Sequence, residues 1–306
     1  MKRVLLTGAT GFIGRHAIQP LLARGYEVHA VGRQPIAHDV DRAVIWHTAN
    51  LLEPSQVEAV VNAVQPTHLL HFAWYVTHGK FWAAPENLDW VSASLKLLRT
   101  FAQAGGQRVV MSGTCAEYDW TTGDGVCREM SSGLKPATLY GASKYALHQM
   151  LASFATQQKL SAAWGRIFFL YGPDEAPQRF VSSIIRALLS GQPARMSHGN
   201  QVRDFLHVAD VADAFVALLD SEVQGPVNIA SGQPVALKDV ALMLGDALNQ
   251  RERIELGALP AAPNDPPVLV ADVGRMHNEV NWRPRFNLAD GLADAVTWWK
   301  EHEDHN

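Results

Sequence analysis

Three glycines lie between the first apolar segment of the chain and its first amphipathic segment. Residues 3–7 predict a buried strand, and residues 12–24 predict a helix that ends at Gly25. Glycines at intervals of three permit a tight turn and let the backbone approach a pyrophosphate at the helix N-terminus. Chance glycines in a strand–helix turn are the alternative, but this context favours a dinucleotide site. The predicted contacts are Gly8, Thr10, Gly11, Phe12, Ile13 and Gly14.

Short apolar segments alternate with longer amphipathic segments through the first two-thirds of the chain. Alternation of this kind is typical of an α/β fold with a Rossmann-type doubly wound parallel sheet. Such a sheet binds ligands beyond the carboxyl ends of its strands. The predicted strands cover 28–31, 44–46, 68–73, 108–112 and 161–169, and the predicted helices cover 55–65, 87–104 and 138–158.

The later part of the chain has a looser pattern. After Gly172-Pro173, glycine and proline recur between short elements, which indicates a smaller C-terminal α/β substrate lobe. We therefore expect a dinucleotide-binding domain over residues 1–170, with residues 200–225 returning to it. Residues 171–306 are expected to form mainly the substrate lobe.

The charge and the cysteine content argue against several classes of protein. The formal net charge is −4, and no run of lysine or arginine marks a face for nucleic acid or a membrane. No apolar segment is long enough for a membrane span or a signal peptide. Cys115 and Cys127 lack metal-type spacing and the histidines are scattered, so we assign no metal. We expect a cytoplasmic protein with a small-molecule substrate.

The end of the second predicted strand bears on the choice of nicotinamide cofactor. In NAD-binding sheets an acidic residue at this place accepts hydrogen bonds from the ribose hydroxyls. Here the strand ends Val31-Gly32-Arg33, without a carboxylate. The guanidinium of Arg33 suits bidentate binding of a 2′-phosphate, which favours NADP(H) over NAD, although Arg33 as a solvated loop residue is the alternative. Asn50 and Leu51 follow the third predicted strand.

Tyr140 and Lys144 lie four residues apart on a predicted helix and therefore share one face. A tyrosine is a poor acid or base at neutral pH because its reference pKa is about 10. A nearby ammonium lowers that pKa by favouring the phenolate, so proton transfer to or from a carbinol oxygen becomes practicable. The alternative is two residues on the flank of a surface helix. The position after the fifth strand favours the catalytic interpretation.

In combination these motifs resemble the extended short-chain dehydrogenase/reductase family, which includes nucleotide-sugar epimerases, dehydratases and 4-ketoreductases. The resemblance covers nearly the whole chain. It rests on residues 7–14, on His71-Phe72-Ala73, on Tyr140 to Lys144, on Arg166 to Gly172-Pro173, and on Arg203 to Asp210. It implies that Lys144 also holds the nicotinamide ribose and that Thr114 hydrogen-bonds the substrate oxygen that Tyr140 protonates. It places Asn50 and Leu51 next to the adenine, where relatives usually have an Asp and where Asn50 can hydrogen-bond the base. Further cofactor contacts are then expected from Phe72, Ala73, Trp74, Ser112 and Phe168.

The residues after Thr114 argue against a dehydratase. By the resemblance, 4,6-dehydratases carry an Asp-Glu pair where this chain has Cys115 and Ala116. Cys115 lies one residue from the place of the cysteine in C3 or C5 epimerases, so we interpret it as a small buried residue. Glu117 is open to two interpretations, a substrate contact or a support behind the site.

The resemblance makes Arg203 the residue that binds a nucleotide diphosphate, which suits a guanidinium. Relatives often have Asn in place of Phe169 and a further Arg near Ala262, so a conventional UDP-hexose pocket is incompletely reproduced. We expect Arg179 or Arg253 to help hold the diphosphate, unless the substrate is not a nucleotide sugar.

An aromatic-rich segment over residues 73–82 follows the fourth strand. It is placed to stack on a sugar ring or to exclude water, and packing of its rings beneath the loop is the alternative. Trp74 and His78 are therefore the candidate substrate contacts here, beside Thr114, Arg179 and Arg203.

These observations favour an NADPH-dependent carbonyl reductase, specifically a 4-ketoreductase of a nucleotide-linked deoxysugar. The first alternative is an NAD-dependent nucleotide-sugar epimerase, which Arg33 disfavours. The second is a cofactor-binding regulator without turnover, which the intact Thr114, Tyr140 and Lys144 disfavour. The resemblance also implies a homodimer formed through the helix that carries Tyr140 and the helix before it.

Overall fold

The computed structural model describes residues 2–34, 43–263 and 265–302. Its strands in chain order are β1 (Arg3–Thr7), β2 (Glu27–Gly32), β3 (Val44–Thr48), β4 (His68–His71), β5 (Arg108–Thr114), β6 (Val126–Cys127), β7 (Ser161–Ile167), β8 (Phe169–Tyr171), β9 (Ala194–Arg195), β10 (Val202–His207), β11 (Gly225–Ile229), β12 (Pro234–Ala236), β13 (Ile254–Glu255) and β14 (Val268–Ala271). Its α-helices are α1 (Phe12–Ala23), α2 (Pro54–Val64), α3 (Glu86–Gln103), α4 (Leu139–Gln158), α5 (Phe180–Leu189), α6 (Val208–Asp220), α7 (Leu237–Ala247), α8 (Gly274–Asn278) and α9 (Leu288–His302). Short 3₁₀ helices cover Cys115–Glu117 and Arg251–Arg253.

Seven parallel strands form the central sheet, in the order β11-β7-β5-β4-β1-β2-β3. In β1, Val4 pairs with Val28 on one side and with His68 on the other. The chain builds outward from β1 in one direction and then continues from β4 in the other. The strand order therefore reverses between β1 and β4, and a crevice for a ligand forms at their carboxyl ends.

Helices cover both faces of this sheet, which explains why apolar residues that face either side of its central strands are buried. On one face α1 packs against α6, with Leu21 and Phe215 in the same buried cluster. On the other face α2, α3 and α4 contribute Val61, Leu97 and Leu147 to a second cluster. The structure thus confirms the Rossmann-type doubly wound fold.

The smaller C-terminal α/β lobe is built on a second sheet, in the order β12-β10-β14-β6, with β8 paired to β10. Its core lies between α5, α7 and α9, where Ile185, Leu244 and Trp299 are buried together. Two elements after residue 170 belong with the large sheet: strand β11 is part of it, and helix α6 packs against it. The border at residue 170 stays a prediction.

The segment predicted as one strand over 161–169 is two strands, which corrects the sequence-based expectation. β7 belongs to the large sheet and β8 to the small one. Between them, the backbone N–H of Phe168 donates to the oxygen of Ile229 at 3.2 Å, and the Phe168 ring is buried beside Tyr118. The chain therefore crosses between the two sheets at Phe168. Periodicity could not reveal the crossing because both strands are apolar.

Candidate active site

The glycine loop between β1 and α1 is shaped by close backbone contacts. Gly8 has a φ of +69°, and its oxygen accepts a hydrogen bond of 2.9 Å from the N–H of Gly11. A Cβ on Gly14 would lie 2.1 Å from the Gly8 oxygen, and a Cβ on Gly8 would lie 2.7 Å from the nitrogen of Ala73. The nearest atom to a Cβ on Gly11 is 3.1 Å away, and Gly11 is exposed, as is Thr10. Gly8 and Gly14 therefore serve the turn, while Gly11 is exposed to solvent beside the half-buried Phe12 and Ile13.

A buried histidine joins the two central strands at the crevice. One ring nitrogen of His71 hydrogen-bonds Oγ of Thr7 at 2.6 Å, and the other bonds Oγ of Ser94 at 2.9 Å. Burial lowers the pKa of His71 to about 3, so the ring is neutral. The ends of β1 and β4 are thereby held together, and Phe72 and Ala73 follow directly at the edge of the crevice.

The predicted cofactor residues at the ends of β2 and β3 reach the same edge of the sheet. Arg33 is exposed immediately after Gly32, and within the described residues no hydrogen bond to its guanidinium is found. The Asn50 side-chain oxygen accepts a hydrogen bond of 3.2 Å from the N–H of Leu52, which leaves its amide N–H₂ available. Leu51 is buried. Because β1 and β2 are neighbouring parallel strands, Arg33 and the glycine loop lie at the same edge of the sheet, where these strands end.

The three predicted catalytic residues come together at the end of β5. Thr114 is the last residue of β5, while Tyr140 and Lys144 occupy the first turns of α4, which Thr138 caps through the N–H of Gly141. The Thr114 side chain lies close enough to Tyr140 to influence the pKa of its phenol. Nζ of Lys144 donates to the oxygen of Ser112 at 2.9 Å. Burial lowers the pKa of Lys144 to about 7, although the Glu117 carboxylate acts in the opposite direction.

The expected lowering of the Tyr140 pKa is wrong for this structure. Burial raises the pKa of the phenol, and this effect outweighs the opposing effects of the Thr114 side chain and the Arg179 charge. The prediction considered only the ammonium of Lys144, whose own charge is opposed by burial. Tyr140 is therefore a neutral phenol at neutral pH, the form that can donate a proton.

The Glu117 carboxylate is buried behind Thr114, and its oxygens are engaged by neighbouring groups. The Glu117 side chain is 0% exposed. Oε1 accepts hydrogen bonds from the N–H of Thr114 at 2.9 Å and from Nε1 of Trp164 at 2.8 Å, while Oε2 accepts one from Nε of Arg166 at 2.8 Å. The carboxylate thereby fixes the backbone of Thr114.

The cysteine next to Thr114 is a small buried residue, as the sequence predicted. Cys115 packs in an apolar cluster with Tyr118, Cys127 and Phe168. Burial raises the pKa of its thiol, so the thiolate is strongly disfavoured. Cys115 is therefore poorly suited to act as a base.

Two predicted substrate arginines lie near the catalytic residues. Arg203 is buried and donates to Asp265 at 2.5 Å, and its charge is close enough to oppose the burial effect on the Cys115 pKa. Arg179 precedes α5 and is half-buried. Burial and, secondly, the Arg179 charge lower the pKa of the exposed His78. The Arg179 charge also affects the pKa of Tyr140, so Arg179 lies near both His78 and Tyr140.

Arg253 is placed differently from these two arginines. It is exposed and donates to the backbone oxygen of Gly191, just beyond the C-terminal end of α5. Arg179 lies at the opposite end of the same helix, about 15 Å away for a helix of this length. Arg179 is therefore the better placed of the two to hold a phosphate beside Tyr140.

In the aromatic segment after β4, some rings pack beneath the segment and another stays exposed, so both sequence-based interpretations hold in part. Trp74 and Phe81 are buried beneath the segment. Trp82 is 39% exposed, and its ring lies edge-on to Tyr140 with centroids 5.8 Å apart. Trp82 is thus the ring that remains available beside the Tyr140 phenol, whereas one face of Trp74 is covered by Lys144.

Comparison with known protein families identifies the family of this chain. The sequence model of the NAD dependent epimerase/dehydratase family matches residues 4–230. The chain belongs to this family. It is therefore an oxidoreductase of the short-chain dehydrogenase/reductase type, in the extended group whose members act on nucleotide sugars and use a nicotinamide dinucleotide.

Members of the epimerase/dehydratase family with different reactions are about equally similar to the chain. The UDP-glucose 4-epimerase of Azospirillum brasilense is 28% identical over 97% of this chain and 92% of its own. The dTDP-4-dehydro-6-deoxy-D-allose reductase of Streptomyces bikiniensis is also 28% identical, over 98% and 97%. The structure of Thermus thermophilus UDP-glucose 4-epimerase in complex with NAD has a TM-score of 0.85 and 26% identity, over 97% of this chain and 99% of that one.

Two buried polar residues near the site were not predicted from the sequence. Asn87 is fully buried in α3 and bonds Nε1 of Trp74 at 2.8 Å. Glu175 is buried in the loop after β8, where burial raises the pKa of its carboxyl to about 7. Neither belongs to a motif, and only their contacts across the fold reveal them.

Within the described parts of the chain, no three His, Cys, Asp or Glu residues are grouped as a metal site. No described helix is both long and apolar enough to cross a membrane.

Proposed function

We propose that the chain is an NADPH-dependent 4-ketoreductase that acts on a nucleotide-linked deoxysugar. The observation that carries this proposal is the end of β2, where Arg33 is exposed and no carboxylate is present. A guanidinium there attracts a 2′-phosphate, whereas a ribose hydroxyl would find no acceptor. NADPH normally serves reduction. The reductase named among the relatives is in line with this reaction.

The residues present fit a bound dinucleotide. The exposed Gly11 and the N-terminus of α1 suit a pyrophosphate, and Asn50 has an amide available for the adenine. NADPH, when bound, supplies the hydride for the ketone carbon. Tyr140 donates the proton to the ketone oxygen, and Thr114 hydrogen-bonds the same oxygen. Lys144 orients the nicotinamide ribose and places a positive charge near the developing alkoxide.

Arg203 and Arg179 would hold the diphosphate of the substrate. Arg203 keeps further N–H donors beyond those used by Val202 and Asp265. The side chain of Arg179 forms no hydrogen bond within the described residues, so it is available for an anion. His78 and Trp82 border the same space and would contact the sugar. These assignments follow from placement, and each can be tested separately.

An NAD-dependent epimerase is the second candidate function. Its support is that the epimerases of two organisms are as similar to the chain as the reductase is. Tyr140, Lys144 and Thr114 would serve its oxidation step as well. A regulator without turnover has no comparable support, because the epimerase/dehydratase family is one of enzymes and Thr114, Tyr140 and Lys144 are intact. The homodimer through α3 and α4 and the cytoplasmic location stay predictions.

The test is a titration of purified protein with NADPH and with NADH, followed by nicotinamide fluorescence. A charge-assisted contact to the 2′-phosphate is worth roughly 1.5–3 kcal/mol, so NADPH should bind roughly 10- to 150-fold more tightly. Arg33→Ala should abolish this preference, and Arg195→Ala, which changes an exposed arginine of the smaller lobe, should keep it. Equal or tighter binding of NADH would move the epimerase into first place.

A further inference from the structure

Lys144 lies against the face of an indole. Its Nζ is 3.8 Å from the ring centroid of Trp74, within the distance at which an ammonium is attracted by an aromatic face. The same nitrogen donates to the oxygen of Ser112 at 2.9 Å. Both contacts are buried, since Lys144 is 2% exposed and Trp74 is 8% exposed. In such a place an ammonium has few water molecules to stabilise its charge.

The indole of Trp74 is held in place by a second buried residue. Nε1 of Trp74 donates to Oδ1 of Asn87 at 2.8 Å. The Asn87 amide nitrogen donates to the backbone oxygens of Phe81 and Ala84, both at 2.8 Å. Asn87 therefore has all its hydrogen-bonding atoms engaged, and rotation of the indole would leave buried polar groups unpaired. The ring cannot easily move away from Lys144.

The charge on Lys144 matters because burial acts against it. Burial lowers the pKa of the ammonium to about 7, and the Glu117 carboxylate opposes this effect. The negative face of Trp74 acts in the same direction as Glu117, from a distance of 3.8 Å. Ser112 and the indole together occupy two sides of the ammonium. Its remaining N–H donors are left for other groups in the crevice.

We propose that Trp74 is a positioning residue for Lys144, which keeps the lysine charged and aimed into the crevice while Asn87 fixes the indole. The consequence for catalysis rests on the proposed function, because it requires that Lys144 serve cofactor binding and the proton step. The contact itself does not depend on any substrate. It assigns a role to an aromatic residue beyond a surface for sugar stacking.

The contact is tested by NMR of the full chain labelled with ¹³C at the lysine ε-carbons, with the Lys144 signal assigned from Lys144→Arg. We expect the ε-protons of Lys144 to be shifted upfield by the ring current of Trp74. Trp74→Leu should remove this shift and lower the pKa of Lys144 by about one unit. Trp74→Phe should keep part of both effects. Trp82→Leu, a change in the same segment, should leave the Lys144 signal in place.

Asn87→Leu provides a second variant that keeps the indole. It should weaken the upfield shift by releasing the ring, and it serves the test if Trp74→Leu fails to fold. A Lys144 signal and titration that are unchanged in both Trp74→Leu and Asn87→Leu would overturn the proposal.

NADPH titrations between pH 6 and pH 9 connect the contact to the proposed function. If Lys144 must be charged to bind the nicotinamide ribose, the pH at which NADPH affinity declines should fall in Trp74→Leu by the same one unit. An altered NMR titration with an unaltered NADPH profile would leave the Trp74 contact established and would count against the cofactor role of Lys144. Failure of the Trp74 contact and failure of the proposed cofactor role of Lys144 therefore give different results.

Discussion

Glu117 and Arg166 form an ion pair of 2.8 Å in which both side chains are 0% exposed. The pair lies directly behind Thr114, whose N–H donates to the same carboxylate. Arg166 also donates to the hydroxyl of Tyr118 at 3.1 Å, and that hydroxyl donates to Asn228 at 2.7 Å. The end of β5 is therefore tied through one polar network to β7 and β11.

Removing Glu117 should destabilise the protein strongly. Glu117→Ala leaves the guanidinium of Arg166 buried and uncompensated, and such a loss costs about 3–5 kcal/mol. Urea unfolding measures the effect. Glu117→Gln keeps an acceptor for Thr114 and should cost less, whereas Glu117→Leu combined with Arg166→Met should recover much of the stability. A loss below about 1 kcal/mol in Glu117→Ala would show that the ion pair contributes little.

Substitutions of two glycines in the loop after β1 should have different effects, one on stability and the other on cofactor affinity. In Gly14→Ala the new Cβ would lie 2.1 Å from the backbone oxygen of Gly8, so we expect a loss of about 3 kcal/mol or more. In Gly11→Ala the loss should be smaller, about 1 kcal/mol, because the position is exposed and its new Cβ would lie 3.1 Å from the same oxygen. NADPH affinity should nevertheless fall by roughly tenfold or more, since the methyl group occupies the approach of the pyrophosphate.

Thermal unfolding and NADPH fluorescence measured on the same samples check this pair. The control is Gly79→Ala, at an exposed glycine with no atom within 4 Å of a new Cβ but with a φ of +73°, which should cost stability without affecting the cofactor. Unchanged NADPH binding in Gly11→Ala would mean that the dinucleotide does not lie along this loop.

Much of the fold could be predicted because the signals are local. The Gly8–Gly14 spacing and the Tyr140–Lys144 spacing each span fewer than eight residues, so sequence distance alone sets their geometry. Strand alternation is similarly local. The crossing at Phe168 could not be predicted, because which sheet a strand joins depends on partners such as β10 that lie far along the chain.

The site was less predictable where burial decides the chemistry. The neutral phenol of Tyr140 and the supporting role of Glu117 both depend on how completely the fold removes water. The contact between Trp74 and Asn87 spans thirteen residues, across the segment between β4 and α3. Sequence patterns report which side chains are present, but they do not report the solvent around them.

Glu175 should make stability depend on pH near neutrality. Burial raises the pKa of this carboxyl from 4.5 to about 7, so the folded state binds the proton more tightly than the unfolded state does. The resulting stability is fully present below pH 4.5 and is lost as the pH rises through 7. Glu175→Gln cannot ionise, so at pH 8.5 it should gain up to about 3 kcal/mol relative to the native chain. At pH 5 the two should differ little.

Urea unfolding at pH 5 and at pH 8.5 measures this difference directly, with Glu53→Gln as a control at an exposed glutamate. The nearby Arg179 charge and the 3.2 Å hydrogen bond from the N–H of Ser182 favour the Glu175 carboxylate, but together they do not offset the loss of water. The loop that carries Glu175 also carries Asp174, which pairs with Arg15 of α1. Destabilisation of this loop at high pH should therefore also destabilise the glycine loop that precedes α1. An equal stability of Glu175→Gln and the native chain at pH 8.5 would mean that Glu175 ionises in contact with water.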